Sequence, residues 1–127
     1  MNLEKVVFAF FIVLALTLNF GFFLGEIEQP EHHNIYELFA AIIINLIATI
    51  MKLGDRSHIG SVLLATSLVA DLHLISAAVV WGFAAHIFAT GLSPEIMSTI
   101  VSLSGGALLA NLISVILFVS DTVVTRR

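Results

Sequence analysis

Four long runs of apolar residues, separated by short stretches that gather nearly all the charge, organise this chain. The first spans about Val6 to Leu24, with Gly25 where a left-handed C-terminal cap would sit. The second opens at Asn34, an N-cap followed three residues on by Glu37, and closes with Lys52 in its last turn and Gly54 beyond. The third starts near Ser57 or His58 and meets no strong break before Thr90 and Gly91. The fourth has the clearest start, Ser93 as N-cap, Pro94 at the first helical position and Glu95 in the positive first turn, and can run to about Thr122. The pattern predicts helices over about 6–24, 35–53, 58–90 and 94–122. Helices of about 30 residues are roughly 45 Å long, so the last two must tilt, kink or project beyond the hydrocarbon, with Gly105–Gly106 the expected bend.

Composition then selects the solvent. Hydrophobic residues make up 59% of the 127 and charged ones 11%, more apolar surface than a water-soluble fold of this length can hide. The expected class is therefore all-α: one polytopic transmembrane domain over 1–127, with the lipid bilayer as its main partner. The first run is longer than a signal-peptide core and no small-x-small cleavage pattern follows it, so it is expected to remain as a span.

The charges that remain set orientation. Lys5, Lys52, Arg56, Arg126 and Arg127 all fall on one side of the four spans, whereas Glu26, Glu28, Glu31, Glu37 and Glu95 fall on the other. The positive-inside rule places both termini in the cytoplasm. There is no basic patch for nucleic acid. The absence of Cys removes disulfides, thiolate metal sites and cysteine nucleophiles. No nucleophile–base or metal-ligand constellation stands out, so neither an enzyme nor a resident cofactor is expected.

Asp71 is the exception to this pattern, a carboxylic acid about 13 residues, or roughly 20 Å, into the third helix. Such residues are costly in a bilayer and usually face a bundle interior or a water-filled cavity. His73 is about 200° away around the helix and so points elsewhere. Counting from the helix ends puts Asn19 at the level of Asp71, and Asn111 and Asn45 nearer the cytoplasmic face at roughly 15 and 10 Å. Asp71, His73, Asn19, Asn45 and Asn111 are accordingly the candidate ion pathway. Interhelical hydrogen bonding by the asparagines, and by a protonated Asp71, is the structural alternative.

On the fourth helix Ser102, Gly106, Ala110 and Ser114 repeat every four residues, a ridge that lets another helix approach, within the chain or from a second subunit. In the acidic loop, Glu31, His32 and His33 are metal-ligand candidates of no defined spacing; a solvated or cation-attracting loop is the alternative. Trp81 and Tyr36 suit the interfacial belt.

Asn19-Phe-Gly-Phe-Phe, His32-His-Asn-Ile-Tyr-Glu-Leu-Phe39, Gly54-Asp-Arg-Ser-His-Ile-Gly60 and the stretch Leu63 to Leu74 resemble a family of small proteobacterial inner-membrane proteins known as a domain of unknown function, DUF6394. The resemblance implies the bacterial inner membrane as location and brings no activity or site residues. The residues themselves lead to a homo-oligomeric ion channel or ion-coupled transport component for an inorganic cation or proton. The rival is a non-conducting accessory or assembly subunit of a larger complex that docks on a partner membrane subunit.

Overall fold

The computed structural model describes residues 3–24, 33–87 and 91–125. They form four helices: α1 (Leu3–Phe23), α2 (Ile35–Lys52), α3 (His58–His86) and α4 (Pro94–Thr125). All four are long and apolar enough to cross a membrane. Each packs mainly on its neighbours in sequence, and α4 returns to close against α1. The chain is thus an all-α, four-span membrane protein.

The helix starts follow their local chemistry. Asn34 accepts from the Tyr36 N–H at 2.8 Å, Ser57 accepts from the Gly60 N–H at 3.0 Å, and Ser93 accepts from the Ile96 N–H at 3.3 Å. Glu37 does not fold back as a capping box; its carboxylate lies against Gly21 of α1, where a β-carbon would collide with it. α3 ends at His86, short of the expected Thr90, and residues 88–90 lie outside those described, as does Gly25. α4 is one continuous helix through Gly105–Gly106.

That glycine pair is explained by what sits on it. A β-carbon at Gly105 would stand 3.0 Å from the Phe23 ring of α1, and one at Gly106 would stand 2.5 Å from the His73 ring of α3. Adjacent residues on a helix face about 100° apart, so one glycine seats a ring from each neighbour. The four-residue ridge therefore divides. Ala110 and Ser114 are buried inside the bundle and Gly106 meets His73, whereas Ser102 is exposed in a groove that Gly106 also borders, with Phe23, Gly105 and Leu109.

The interior has three tiers. At one end Phe8, Ile12, Ala48 and Leu63 form a small apolar cluster. At the other, Phe22, Leu38, Ala41, Leu74, Ala77, Met97 and Ile100 belong to a larger one. Between them lies a layer of buried polar side chains to which all four helices contribute: Asn19, Asn45, Thr49, Ser67, Asp71, Asn111 and Ser114. Lipid tails are as apolar as leucine, so burial alone does little to hold spans together; close packing and such hydrogen bonds do it instead.

Candidate functional site

Asp71 sits in the polar layer, 6% exposed, facing α2. Asn45 Nδ2 donates to Asp71 Oδ1 at 2.5 Å and also reaches the Ser67 carbonyl at 3.3 Å. Thr49 Oγ1 lies 2.6 Å from Asp71 Oδ2 and 2.9 Å from the Asn45 carbonyl. The partners of Asp71 are thus an amide and a hydroxyl, neither of which carries charge.

The Thr49 hydroxyl has two acceptors within reach. Thr49 has a single proton and two acceptors, and a carbonyl can only accept. With the carboxyl ionised, that proton is shared between Asp71 and the Asn45 carbonyl. With a proton on Asp71 Oδ2, Asp71 donates to Thr49 Oγ1, Thr49 donates to the Asn45 carbonyl, and each contact has its own hydrogen. The two arrangements differ only in where the hydrogens sit, Oδ2 of Asp71 being the atom that gains one in the second.

Asn19 belongs to the same layer but to another contact. With its amide oriented to match the groups around it, its nitrogen donates to the Ser104 carbonyl at 3.1 Å, and its oxygen accepts from the Leu108 N–H at 3.0 Å and from Asn111 Nδ2 at 3.3 Å. Ser104 and Leu108 are the carbonyl and amide that an α-helix pairs with each other, so Asn19 straddles one rung of the α4 ladder. Thr66 and Ser114 share a hydrogen bond between α3 and α4. The α1–α2 pair is tied at one end, where His33 Nδ1 donates to the Phe22 carbonyl at 2.6 Å. Among the described residues, every buried side-chain nitrogen and oxygen has a partner.

The expected neighbourhood of Asp71 is therefore corrected. Asn45 and Thr49, not Asn19, meet it. Lys52 and His58 do not stand at one level along the bundle axis. Asn45 is seven residues from Lys52 and Asp71 thirteen from His58; their contact requires the turn 53–57 to carry the chain about 9 Å further along the axis. Nor do the five candidates form one descending line. His73 is half-buried on the α4 side of α3, its Nδ1 donating to the Val69 carbonyl at 2.9 Å. Thr49 is not among the five candidates, and its position one turn from Asn45 is the signal that points to it.

On α2 the polar face continues past Thr49 to Lys52, 6% exposed, whereas the opposite direction meets only Ala41 and Leu38. The Lys52 ammonium stands 4.1 Å from the centre of the Phe8 ring and 3.4 Å from Asp55 Oδ2. It lines a cleft of about 500 Å³ with Glu4, Lys5, Met51, Gly54, Asp55 and Arg56. Asn45, Thr49 and Lys52 thus lie along one buried face of α2, whose Lys52 end borders the charged cleft.

No group of three metal-binding side chains occurs among the described residues. Glu31 and His32 lie outside them, and the Nδ1 of His33 is already committed to a carbonyl. No curated protein and no solved structure matches the chain. A family model does, over residues 32–122, which takes in α2, α3 and nearly all of α4. The chain belongs to the family of unknown function DUF6394.

Proposed function

We propose that this multi-pass protein is an ion-coupled transport component of the bacterial cytoplasmic membrane, acting as a homo-oligomer, in which Asp71 takes up and releases a proton. One observation carries the reading: among the described residues the buried carboxyl is met by Asn45 and Thr49, neither of them charged, so neutrality at this depth has to come from a proton or cation drawn from water. The hydroxyl count favours the proton. The buried face Asn45, Thr49, Lys52 supports exchange from the charged cleft, the end assigned to the cytoplasm by the positive-inside rule. Beyond the layer the larger apolar cluster fills the bundle, so movement across the membrane calls for a second copy or a rearrangement of α2 against α3.

Purified protein in liposomes under an imposed pH gradient tests this. Proton flux above that of empty vesicles, lost in Asp71→Asn, supports the reading; flux no greater than in empty vesicles, or undiminished in the variant, ends it.

A second reading, a non-conducting accessory subunit, is favoured by the full satisfaction of the polar layer and by the open groove beside Ser102. Purification in mild detergent decides for it if a stoichiometric membrane partner always accompanies the chain and Asp71→Asn leaves that partner bound.

A further inference from the structure

The cleft at the Lys52 end has a composition that the Asp71 network does not explain. Three cations from three segments converge there: Lys5 from the first turn of α1, Lys52 from the last turn of α2, and Arg56 from the turn that follows. Two acids accompany them, Glu4 and Asp55. The two acids are not equivalent. Asp55 Oδ1 accepts from the Ser57 N–H at 2.9 Å and from the Ser57 hydroxyl at 2.6 Å, and Oδ2 faces Lys52. Its oxygens are committed to building the turn.

Lys52 is buried beside Asp55 but is not saturated by it. Its ammonium has three donors, one long contact to Asp55 at 3.4 Å, and a ring face beneath it. Burying an ammonium this deeply is costly unless further acceptors reach it, and Lys52 opens on the cleft. Arg56, exposed on the turn, brings the planar fork that suits two oxygens of one phosphate. The surroundings indicate the source of that phosphate. Leu3 and Leu53 are 69% and 63% exposed beside the cleft, and Val6 and Val7 continue an apolar surface up α1. A ligand with its charge in the cleft and its chains along those residues is a membrane lipid.

We propose that the Lys5–Lys52–Arg56 cleft binds the phosphate group of a membrane phospholipid, with Lys52 as the fixed contact and Arg56 as the bidentate one. Basic pockets between span ends are the usual setting for such headgroups. The site uses none of the Asp71 contacts and stands whether or not Asp71 exchanges a proton.

The test is lipid retention by the full chain in a non-ionic detergent, read by native mass spectrometry. Short-chain phosphatidylglycerol is titrated against diacylglycerol of the same chains and against inorganic phosphate. The expected result is saturable retention of phosphatidylglycerol, weak retention of diacylglycerol and no displacement by equimolar inorganic phosphate. Arg56→Gln, on an exposed turn outside the core, should weaken retention about fivefold, the usual effect of one basic residue at an anionic headgroup. Lys52→Met should weaken it further; if that variant loses helix content, Arg56→Gln alone carries the test. Equal retention of diacylglycerol, equal retention by a folded Arg56→Gln protein, or displacement by equimolar inorganic phosphate would overturn the proposal.

Discussion

At the scale of single residues, the polar contacts differ in what they do to stability. An asparagine at position 71 keeps an oxygen for the Asn45 amide and offers an N–H to Thr49, reproducing the contacts of a protonated Asp71. Asp71→Asn should therefore unfold within about 0.6 kcal/mol of the natural protein, the mean worth of one such hydrogen bond in a membrane bundle. Asn45→Leu removes the amide that serves both Asp71 and the Ser67 carbonyl and should cost about 1 to 2 kcal/mol. Denaturation in mixed detergent micelles measures both, and equal losses from the two changes would contradict the assignment.

Asp55 gives a prediction of another kind, outside the spans. The Ser57 hydroxyl and N–H hold its carboxyl below the ordinary value of 3.8, with a smaller contribution from Lys52, while burial opposes them. A depressed folded value means the unfolded chain binds the proton more readily. The stabilisation from Asp55 is thus complete above pH 3.8 and is lost as pH falls through the lower folded value. In Asp55→Asn this acid-side loss should disappear; an unchanged acid limb of the stability–pH curve would refute it.

At the scale of elements, the α3–α4 seam depends on the glycine that seats His73. A β-carbon at Gly106 meets the imidazole, whose Nδ1 is anchored on Val69, so the ring cannot withdraw without giving up that bond. Gly106→Ala should cost about 1 to 3 kcal/mol, as overpacking of a tight contact does. His73→Ala should reduce that cost when the two are combined, and strict additivity in the same unfolding assay would show that the two residues do not share the contact.

The helices were legible in the sequence because lipid imposes one requirement on every span, a long run of apolar residues with its backbone bonds satisfied internally. Asn34, Ser57 and Ser93 announced their helix starts in the same way. The polar layer was legible only as an inventory. Asn19, Asn45, Asn111 and Asp71 were identifiable as membrane-embedded polar groups, but their partners depended on how far the turn 53–57 extends. Four-residue spacing could not tell which small residues of α4 face inward, because rings arriving from α1 and α3 decide that.

At the scale of the whole molecule, the arrangement is a polar layer enclosed by two apolar clusters, with a charged cleft at the Lys52 end of α2. The layer ties α2 to α3, α3 to α4 and α4 to α1, and the α2–α3 tie is the one that Asp71 makes. In the proposed function, a proton at Asp71 Oδ2 gives each Thr49 contact its own hydrogen, whereas without it the one hydroxyl hydrogen serves both the Asp71 carboxyl and the Asn45 carbonyl.

Infrared difference spectroscopy of the protein in bilayers, recorded across a pH jump, tests the exchange of that proton most directly. The account predicts a carboxylic-acid carbonyl band that rises on acidification, falls on return to alkali, shifts in heavy water and is missing from Asp71→Asn. Difference spectra that are identical for the natural protein and Asp71→Asn would contradict it.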